Sequence, residues 1–402
     1  MREPAEQERR TGAWRCLCRV VGRELGFIAH SPFCTLFIFI LPVLSFGLLW
    51  GIFYHEVPRN LPIAVRDADE SPLSRKLVRM TDASSLVAVA TQVDDMEKGA
   101  ATVRRGETYA VLNIPADFER DILRGEAAPV VLYYNNQSLL VSVLVSKSVR
   151  EAVGTLSAGV DIKRRVAKGE HTAMAMEHYE PIVVDEHPLF NPNLNYRYFL
   201  LPLILAAMMQ VFVIIMAVKA IGTELKLGTA AHWLATAGGR PWIALTGKQL
   251  PYTLCYVVLT AFMLALLVRY AGVPIYGNLT VLIVASLLFV LAYQNMGFVM
   301  VAVSANLRLA NSLAGFYAGP AFAYTGVSFP IIGMPPAAKV FSALLPISHY
   351  LAVFVQQTLR GAPIEASYGP LLALVAFVVL PPIILMPRMH RLMRNPAYWG
   401  RI

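Results

Sequence analysis

The sequence predicts an α-helical membrane protein with six transmembrane helices and an α/β domain inserted between helices 1 and 2. Hydrophobic residues make up 56% of the 402 residues, and the mean hydropathy is +0.53, as is typical of integral membrane proteins. Six apolar runs contain no Asp, Glu, Lys or Arg. At about 1.5 Å per residue, a helix of that length crosses a bilayer core of roughly 30 Å. These runs are residues 33–54, 198–218, 249–268, 279–304, 309–332 and 366–387.

The order of these runs gives the predicted domain organisation. The segments are a cytoplasmic tail with an interfacial helix (1–31), transmembrane helix 1 (32–54), an extracytoplasmic α/β domain (55–195), transmembrane helix 2 (196–221), a cytoplasmic loop (222–242), transmembrane helices 3 to 5 (243–332), an external re-entrant helical hairpin (333–362), transmembrane helix 6 (363–387) and a cytoplasmic tail (388–402).

The distribution of charge supports this topology and argues against a nucleic-acid partner. Residues 55–195 carry 16 Lys and Arg against 20 Asp and Glu, whereas the rest of the chain carries 19 against 6. Most of the basic excess flanks the apolar runs on one side, which the positive-inside rule assigns to the cytoplasm. We therefore expect both termini to be cytoplasmic and the insert to be external.

The N-terminal segment 13–30 is predicted to form an amphipathic helix on the inner membrane surface, so membrane lipid is an expected partner. Its basic face consists of Arg15, Arg19 and Arg23, spaced four apart to meet anionic headgroups. Its apolar stripe follows spacings of three and four: Trp14, Leu17, Val21, Leu25 and Ile28. The alternative is ordinary basic flanking of a membrane span, without a specific partner.

The inserted domain alternates strand and helix patterns. Strands are predicted at 61–65, 86–90, 108–114, 130–134 and 182–184, with helices at 72–80, 94–104, 115–123 and a long one beyond residue 135. Ser71 is the expected N-cap of the first helix. All four cysteines lie outside the domain, so packing rather than disulfides must hold it together.

The sequence contains no catalytic or metal-binding constellation, and we predict that the chain is not an enzyme. A glycine-rich phosphate loop is absent, and the six runs hold no carboxylate that could relay protons. Energy for any transport must therefore come from another subunit. The loop at 222–242 is the candidate contact, with Glu224 and Lys226 available for pairing and His232, Trp233 and Leu234 as an exposed apolar patch. The alternative is an ordinary cytoplasmic connection.

Several motifs resemble those of type-2 ABC exporter permeases, in the drug-efflux-like branch with a large external domain. The loop matches the family's Arg-Glu-x-Glu-x-Gly-Thr-x-x-x-Leu-Leu-x-Thr-Pro element at Glu224, Gly228, Thr229, Leu234 and Thr236, and departs from it at Thr223, Lys226, Trp233 and Ala237. Ser328-Phe329-Pro330 with Met334-Pro335, and Asn191-Pro192-Asn193 before Tyr196, are further matches. In the inserted domain, Asp67-Ala68-Asp69 and Ile114-Pro115-Ala116 also agree.

The resemblance implies a half-transporter in the bacterial inner membrane. Two such subunits, identical or paralogous, would pair and bind separate ATPase chains, which would hold ATP and Mg²⁺; the chain itself would bind no cofactor. The resemblance makes Glu224, Gly228, Thr229, Trp233 and Leu234 the candidate ATPase-coupling residues. A substrate path for a hydrophobic or amphipathic molecule would involve Gln210, Asn311, Phe316 and Tyr317.

Two other functions remain open at this point. The chain could be a membrane-anchored scaffold whose external domain docks an envelope partner without transport. A membrane enzyme acting on lipid is the third possibility, and the missing carboxylate and histidine clusters argue against it. Within the exporter interpretation, the size of the insert suggests that it hands the substrate to a periplasmic partner.

Overall fold

The computed structural model describes residues 3–54, 57–169, 171, 189–191 and 195–400. It divides into two compact units. The first, here called the membrane unit, comprises Met1–Tyr54 and Asn195–Ile402, and the second, the inserted domain, comprises His55–Leu194. This division follows the predicted insertion between the first and second apolar runs.

The described residues of the membrane unit form helices and connecting loops, and none of them lies in a β-strand. Its helices are α1 (Glu3–His30), α2 (Pro32–Ile52), α7 (Tyr196–Lys226), α8 (Ala230–Thr236), α9 (Pro241–Arg269), α10 (Leu279–Ser304), α11 (Leu307–Ala318), α12 (Pro336–Ala343), α13 (Pro346–Thr358) and α14 (Tyr368–Arg394), numbered with those of the inserted domain given below. Within the described part of the chain, five helices are long and apolar enough to cross a membrane, and a bent helix pair brings the number to as many as six. The structure therefore confirms a helical membrane protein.

Helix α2 accommodates a proline through a π-helical turn. The turn spans Leu36–Ile40, directly before Pro42. In this turn the Leu41 amide donates to the Leu36 carbonyl, five residues earlier, and not to the Phe37 carbonyl, its usual acceptor in an α-helix. The next residue, Pro42, has no N–H to replace it, so the Phe37 carbonyl loses its usual helical donor. The hydroxyl of Tyr256 on α9 lies 3.3 Å from that carbonyl oxygen.

The predicted fifth span, 309–332, is not a single α-helix in the structure. Helix α11 ends at Ala318, and a short 3₁₀ helix, Pro320–Tyr324, follows. A proline ring clashes with the carbonyl four residues earlier, so Pro320 disfavours continuation of the α-helix. The side-chain amide of Gln210 donates to the Ala318 carbonyl at 3.1 Å, which satisfies one acceptor at the broken end.

The predicted hairpin at 333–362 corresponds to a sharply bent pair of helices. Helices α12 and α13 meet at an angle of 80°, with the break immediately before Pro346. The Ser342 and Ser348 hydroxyls lie 3.3 Å apart across the break. The pair of helices is confirmed, whereas its re-entrant position in the membrane stays a prediction.

The described residues of the inserted domain form a four-stranded sheet in the order β2-β1-β3-β4, with β1 parallel to β2 and β3, and β4 antiparallel to β3. The strands are β1 (Leu61–Asp67), β2 (Val87–Gln92), β3 (Ala110–Ile114) and β4 (Val131–Tyr134), and the helices are α3 (Pro72–Asp82), α4 (Met96–Arg104), α5 (Phe118–Arg124) and α6 (Leu139–Ala167). Each corresponds to a predicted element, and Ser71 caps α3 by accepting from the Ser74 amide. The strand predicted at 182–184 lies outside the described residues.

Candidate functional site

The loop between α7 and α9 is compact because glycines reverse the chain at both ends of α8. Gly228 follows α7 with a φ of +70°, and Gly238 and Gly239 follow α8 with φ of +66° and +73°. These left-handed conformations favour glycine, which lacks the Cβ that would clash. The amide of Thr229 returns to the Glu224 carbonyl at 2.9 Å, so the loop folds back onto the end of α7.

Glu224 lies at the centre of a buried charge cluster. Nη2 of Arg23 on α1 donates to its two carboxylate oxygens at 2.8 and 2.9 Å, and Nζ of Lys248 on α9 donates at 2.8 Å. The hydroxyl of Thr229 donates to the carboxylate at 2.5 Å. Two helices distant in sequence and the adjacent loop therefore converge on one carboxylate, which is only 5% exposed.

A second carboxylate completes the cluster. Nζ of Lys248 donates to Glu24 Oε2 at 2.6 Å, and the Tyr252 hydroxyl donates to Oε1 of the same residue at 2.8 Å. The Lys248 and Glu24 side chains are each 3% exposed. With Arg23 and Glu224, two cations balance two anions, as buried charges require. We call Arg23, Glu24, Glu224 and Lys248 the charge cluster.

The cluster retains unused hydrogen-bonding capacity. A cavity of about 230 Å³ borders it. Among the described residues, Nη1 of Arg23 and Oγ1 of Thr223 are buried and make no hydrogen bond, and both residues line this cavity. The guanidinium therefore has a donor available for a different partner if the helices shift.

The predicted exposed patch at Trp233 and Leu234 is wrong. Trp233 is fully buried, its Nε1 donates to the Ala244 carbonyl at 3.1 Å, and Leu234 is 7% exposed. Lys248 Nζ lies 5.2 Å from the centre of the Trp233 ring, a cation–π distance. Glu224 is likewise not exposed for a partner protein, since groups of its own chain surround it. Tertiary packing, which the loop sequence does not show, turns these side chains inward.

A different set of residues forms the accessible surface of α8 and the turn before it. Leu227 is 65% exposed, and the other exposed residues between Lys226 and Thr236 are Lys226, Ala231, His232 and Ala235. We call these five residues the loop surface. Within the predicted coupling set, Gly228 and Thr229 shape the loop, while Trp233 and Leu234 anchor it.

Helix α1 packs against α9. Among the side chains of α1 that the structure describes, the buried ones are Val20, Glu24 and Ile28, each four residues apart. A Cβ at Gly247 on α9 would lie 2.9 Å from Val20 Cβ, so the glycine permits the close approach. The backbone is helical from Glu3, earlier than the predicted start at residue 13.

Some of the side chains that were predicted to face the membrane from α1 are exposed, and others turn toward the protein interior. Arg15 and Arg19 are exposed, whereas Arg23 turns inward to Glu224. Trp14 and Leu25 of the predicted apolar stripe are 67% and 52% exposed, whereas Ile28 of the same stripe is buried. The basic and exposed apolar faces stay compatible with an interfacial helix, while the assignment of Arg23 to headgroups is wrong.

The C-terminal segment packs against the same loop. The amide of Gly400 donates to the Leu225 carbonyl at 3.0 Å, and Trp399 lies beside Gly228. Trp399 also donates from Nε1 to the Leu392 carbonyl at 2.9 Å. Both ends of the chain thus contact the region around the coupling loop.

The four predicted substrate-path residues do not lie together on one surface. Gln210 is buried and accepts a hydrogen bond from the Tyr293 hydroxyl. Asn311 is exposed, and Phe316 is 78% exposed on the same helix, α11. Tyr317 is half-buried and donates to the Leu344 carbonyl at 2.6 Å. Gln210 and Tyr317 thus have structural contacts, which leaves Asn311 and Phe316 as surface candidates.

Sequence reasoning missed Glu24, Lys248 and Tyr252. One signal was available, because Glu24 falls between Val20 and Ile28 at the same helical spacing as a buried face. Its partners lie 224 and 228 positions away in the chain, so no local pattern could identify them.

Comparison with known proteins agrees with this architecture. The model of the family described as ABC-2 family transporter protein matches residues 33–385. The probable multidrug ABC transporter permease YbhR of Escherichia coli strain K12 is 20% identical over 363 residues, covering 90% of this chain and 95% of that protein. The inner membrane transport permease YhhJ of the same strain is 24% identical over 321 residues, covering 78% and 81%. The chain therefore belongs to the ABC-2 family of transporter proteins.

Proposed function

We propose that this chain is the membrane subunit of an exporter that moves a hydrophobic or amphipathic substrate out of the cytoplasm or the inner leaflet. A separate ATP-binding-cassette ATPase would supply the energy and would hold ATP and Mg²⁺. The observation that carries the proposal is the charge cluster, because it joins α1, α7 and α9 directly beneath an exposed loop.

The cluster would transmit force from the loop to the membrane helices. A partner pressing on the loop surface acts on α8, whose buried Trp233 packs beside Lys248. Lys248 is bonded to both carboxylates, so displacement of the loop is coupled to α1 and α7. The free Nη1 donor of Arg23 and the adjacent cavity give the cluster room for a second arrangement. An ATP-driven population shift needs such a bistable element.

The substrate would pass along the exposed side of α11. Asn311, Gly315 and Phe316 are exposed on this helix, whereas Ala310 and Ala314 pack inward. An amide beside an aromatic ring suits a molecule with both polar and apolar parts. A second permease, either a copy or a paralogue, would face this surface and complete the path.

The proposed location is the bacterial inner membrane, with both termini in the cytoplasm and the inserted domain outside, where a periplasmic partner could receive the substrate. A fluorescent protein fused after Ile402 tests the orientation. Fluorescence is expected, because the fusion would fold in the cytoplasm. A fusion that is inserted in the membrane but exported and accessible from outside would contradict the topology.

Two matched lysines test the coupling surface. Lys226 and Lys339 are both exposed, but only Lys226 lies on the loop surface. Lys226→Asp combined with Leu227→Asp should abolish co-purification with a co-expressed ATP-binding-cassette ATPase and ATP-driven uptake of a lipophilic dye into inverted vesicles. Lys339→Asp should preserve both. Normal ATPase capture by the loop variant would overturn the proposed contact, and capture without any ATP-dependent transport would favour a scaffold.

A further inference from the structure

A groove of about 380 Å³ runs between α9 and α10. Its larger side chains are Leu264 and Val268 on α9 and Leu279, Ile283 and Leu287 on α10. The three residues of α10 are 48%, 54% and 40% exposed, so the groove opens away from the packed helices. Both helices are long and apolar enough to cross a membrane, so in a bilayer this opening faces hydrocarbon chains.

Small side chains create the groove and leave its lining apolar. Ala261 and Ala265 lie one turn apart on α9, and both are exposed, so they leave space beside the larger walls. Of the described residues that line the groove, Ser286 alone has a polar side chain, and its hydroxyl donates to the Leu282 carbonyl at 2.8 Å. A polar occupant would therefore lose its hydration without gaining a partner, which favours an apolar one.

The length of the groove matches one leaflet of a bilayer. Val257 and Val268 mark its extent along α9, a distance of about 16 Å at 1.5 Å per residue. Half of a hydrocarbon core of roughly 30 Å is about 15 Å. The loop residue Ile275 lines the groove at the end where α9 stops. A single acyl chain that enters from this end therefore matches the groove in both length and polarity.

A cation lies at this end of the groove. Arg269 follows Ala265 by four residues, so it lies on the same exposed side of α9. Its guanidinium lies 5.8 Å from the centre of the Tyr270 ring, and it forms no ion pair in the described part of the chain. Tyr270 and Tyr276 are 62% and 70% exposed. Exposed tyrosines beside a basic residue are typical of the level where hydrocarbon meets lipid headgroups.

Neighbouring charges do not neutralise Arg269. The end of α13 packs on the loop between α9 and α10, where the Tyr276 amide donates to the Thr358 carbonyl at 3.1 Å. The segment that follows α13 adds Arg360 and Glu365, both exposed. Two arginines against one carboxylate leave this region of the membrane unit with a net positive charge. Most of the basic excess of the chain lies at the other ends of the membrane helices, so the positive-inside rule does not account for it.

We infer that this groove binds an anionic glycerophospholipid, with one acyl chain between α9 and α10 and the phosphate headgroup at Arg269. Charge selects the headgroup, because the phosphate of a zwitterionic lipid is already balanced by its own ammonium group. The inference goes beyond the proposed function, since the site lies on α9 and α10, whereas the proposed substrate path lies on α11.

Photoactivatable lipids test the headgroup requirement. The full chain would be reconstituted in nanodiscs of phosphatidylcholine containing a small fraction of phosphatidylglycerol or phosphatidylcholine with a diazirine in one acyl chain. After irradiation, peptide mass spectrometry would compare adducts on residues 257–287 with those around Leu372 and Val379, exposed apolar residues of α14. The phosphatidylglycerol probe should label the groove about fivefold more than the phosphatidylcholine probe, as expected for one basic residue at an anionic lipid. The two probes should label α14 equally.

Two pairs of variants separate the charge from the shape of the groove. Arg269→Gln should make the two probes label the groove equally, whereas Arg308→Gln, at an exposed arginine of α11, should preserve the fivefold difference. Ala265→Phe fills the groove and should reduce its labelling by phosphatidylglycerol to the level on α14. Val258→Phe is the matched control, because Val258 is exposed on α9 but does not line the groove, and it should leave the labelling unchanged.

Three outcomes would overturn the inference. The first is equal labelling of the groove by the two probes in the unchanged chain, and the second is a preference for phosphatidylglycerol that survives Arg269→Gln. The third is groove labelling no stronger than that of α14, which would mean contact with bulk lipid only or a groove covered by protein. None of these measurements involves an ATPase or dye transport, so failure of the lipid site and failure of the exporter proposal are distinguishable.

Discussion

The side-chain amide of Asn295 on α10 donates to the backbone carbonyl of Val378 on α14 at 2.7 Å. In a regular helix that carbonyl would accept from the residue four positions later, which here is Pro382 and has no N–H. Asn295 therefore supplies the donor that the proline removes. In a lipid environment an unsatisfied carbonyl is costly, so this contact stabilises the packing of two membrane helices.

Replacing the donor tests this relationship. Asn295→Leu should lower the free energy of unfolding by about 1 kcal/mol, in the range measured for hydrogen bonds between membrane helices. The measurement is unfolding in mixed detergent micelles. In the Pro382→Ala background the backbone N–H returns, and the same Asn295→Leu change should have a smaller effect. Equal losses in both backgrounds would show that Asn295 acts through packing alone.

Loss of Lys248 should destabilise the membrane unit strongly. Lys248→Met leaves Glu24 and Glu224 buried with only one cation, and breaking a buried pair typically lowers the free energy of unfolding by about 3–5 kcal/mol. Adding Glu24→Gln removes one uncompensated charge and should recover part of the loss. Lys226→Met, an exposed lysine, is the control and should have little effect on thermal unfolding. No recovery in the double variant would argue against electrostatic compensation.

A pair of glycines tests helix packing. A Cβ at Gly297 on α10 would lie 2.6 Å from Ala217 Cβ and 3.0 Å from the Ile214 carbonyl oxygen on α7. Gly297→Ala should therefore lower the free energy of unfolding by about 1–3 kcal/mol, as overpacking does. Gly315 on α11 has no atom within 4 Å of an added Cβ, so Gly315→Ala should be neutral or slightly stabilising. Equal thermal stability of the two variants would contradict the observed helix spacing.

Two adjacent loop residues should behave differently. Trp233 is buried between α8 and α9, and Trp233→Ala should lower the free energy of unfolding by about 3–5 kcal/mol through lost packing. His232 is exposed, so His232→Ala should change it by less than about 0.5 kcal/mol. Thermal unfolding of the purified chain distinguishes them. An effect at Trp233 as small as that at His232 would mean that Trp233 is exposed, as the sequence alone predicts.

The local sequence pattern was sufficient to predict most strands and helices of the inserted domain. The apolar run at the start of β1, followed by a polar turn, and the Ser71-Pro72 start of α3 are short-range signals, and both elements form where they were predicted. At residues 309–332 apolar composition predicted one span, but the α-helix ends at Ala318. The average hydropathy of the segment does not change at Gly319-Pro320, although the proline ring disfavours continuation of the helix there.

The sequence by itself determined the membrane character, the insertion and the family motifs, because composition and spacing are properties of neighbouring residues. Only the tertiary structure decided which charges are buried together. Glu24 and Lys248 are separated by 224 positions, yet they share one hydrogen bond in the interior. The folded helices bring them together because a buried charge is tolerated only beside a compensating one. The same packing turned Trp233 inward and left Leu227 at the surface, which relocates the proposed contact with the ATPase.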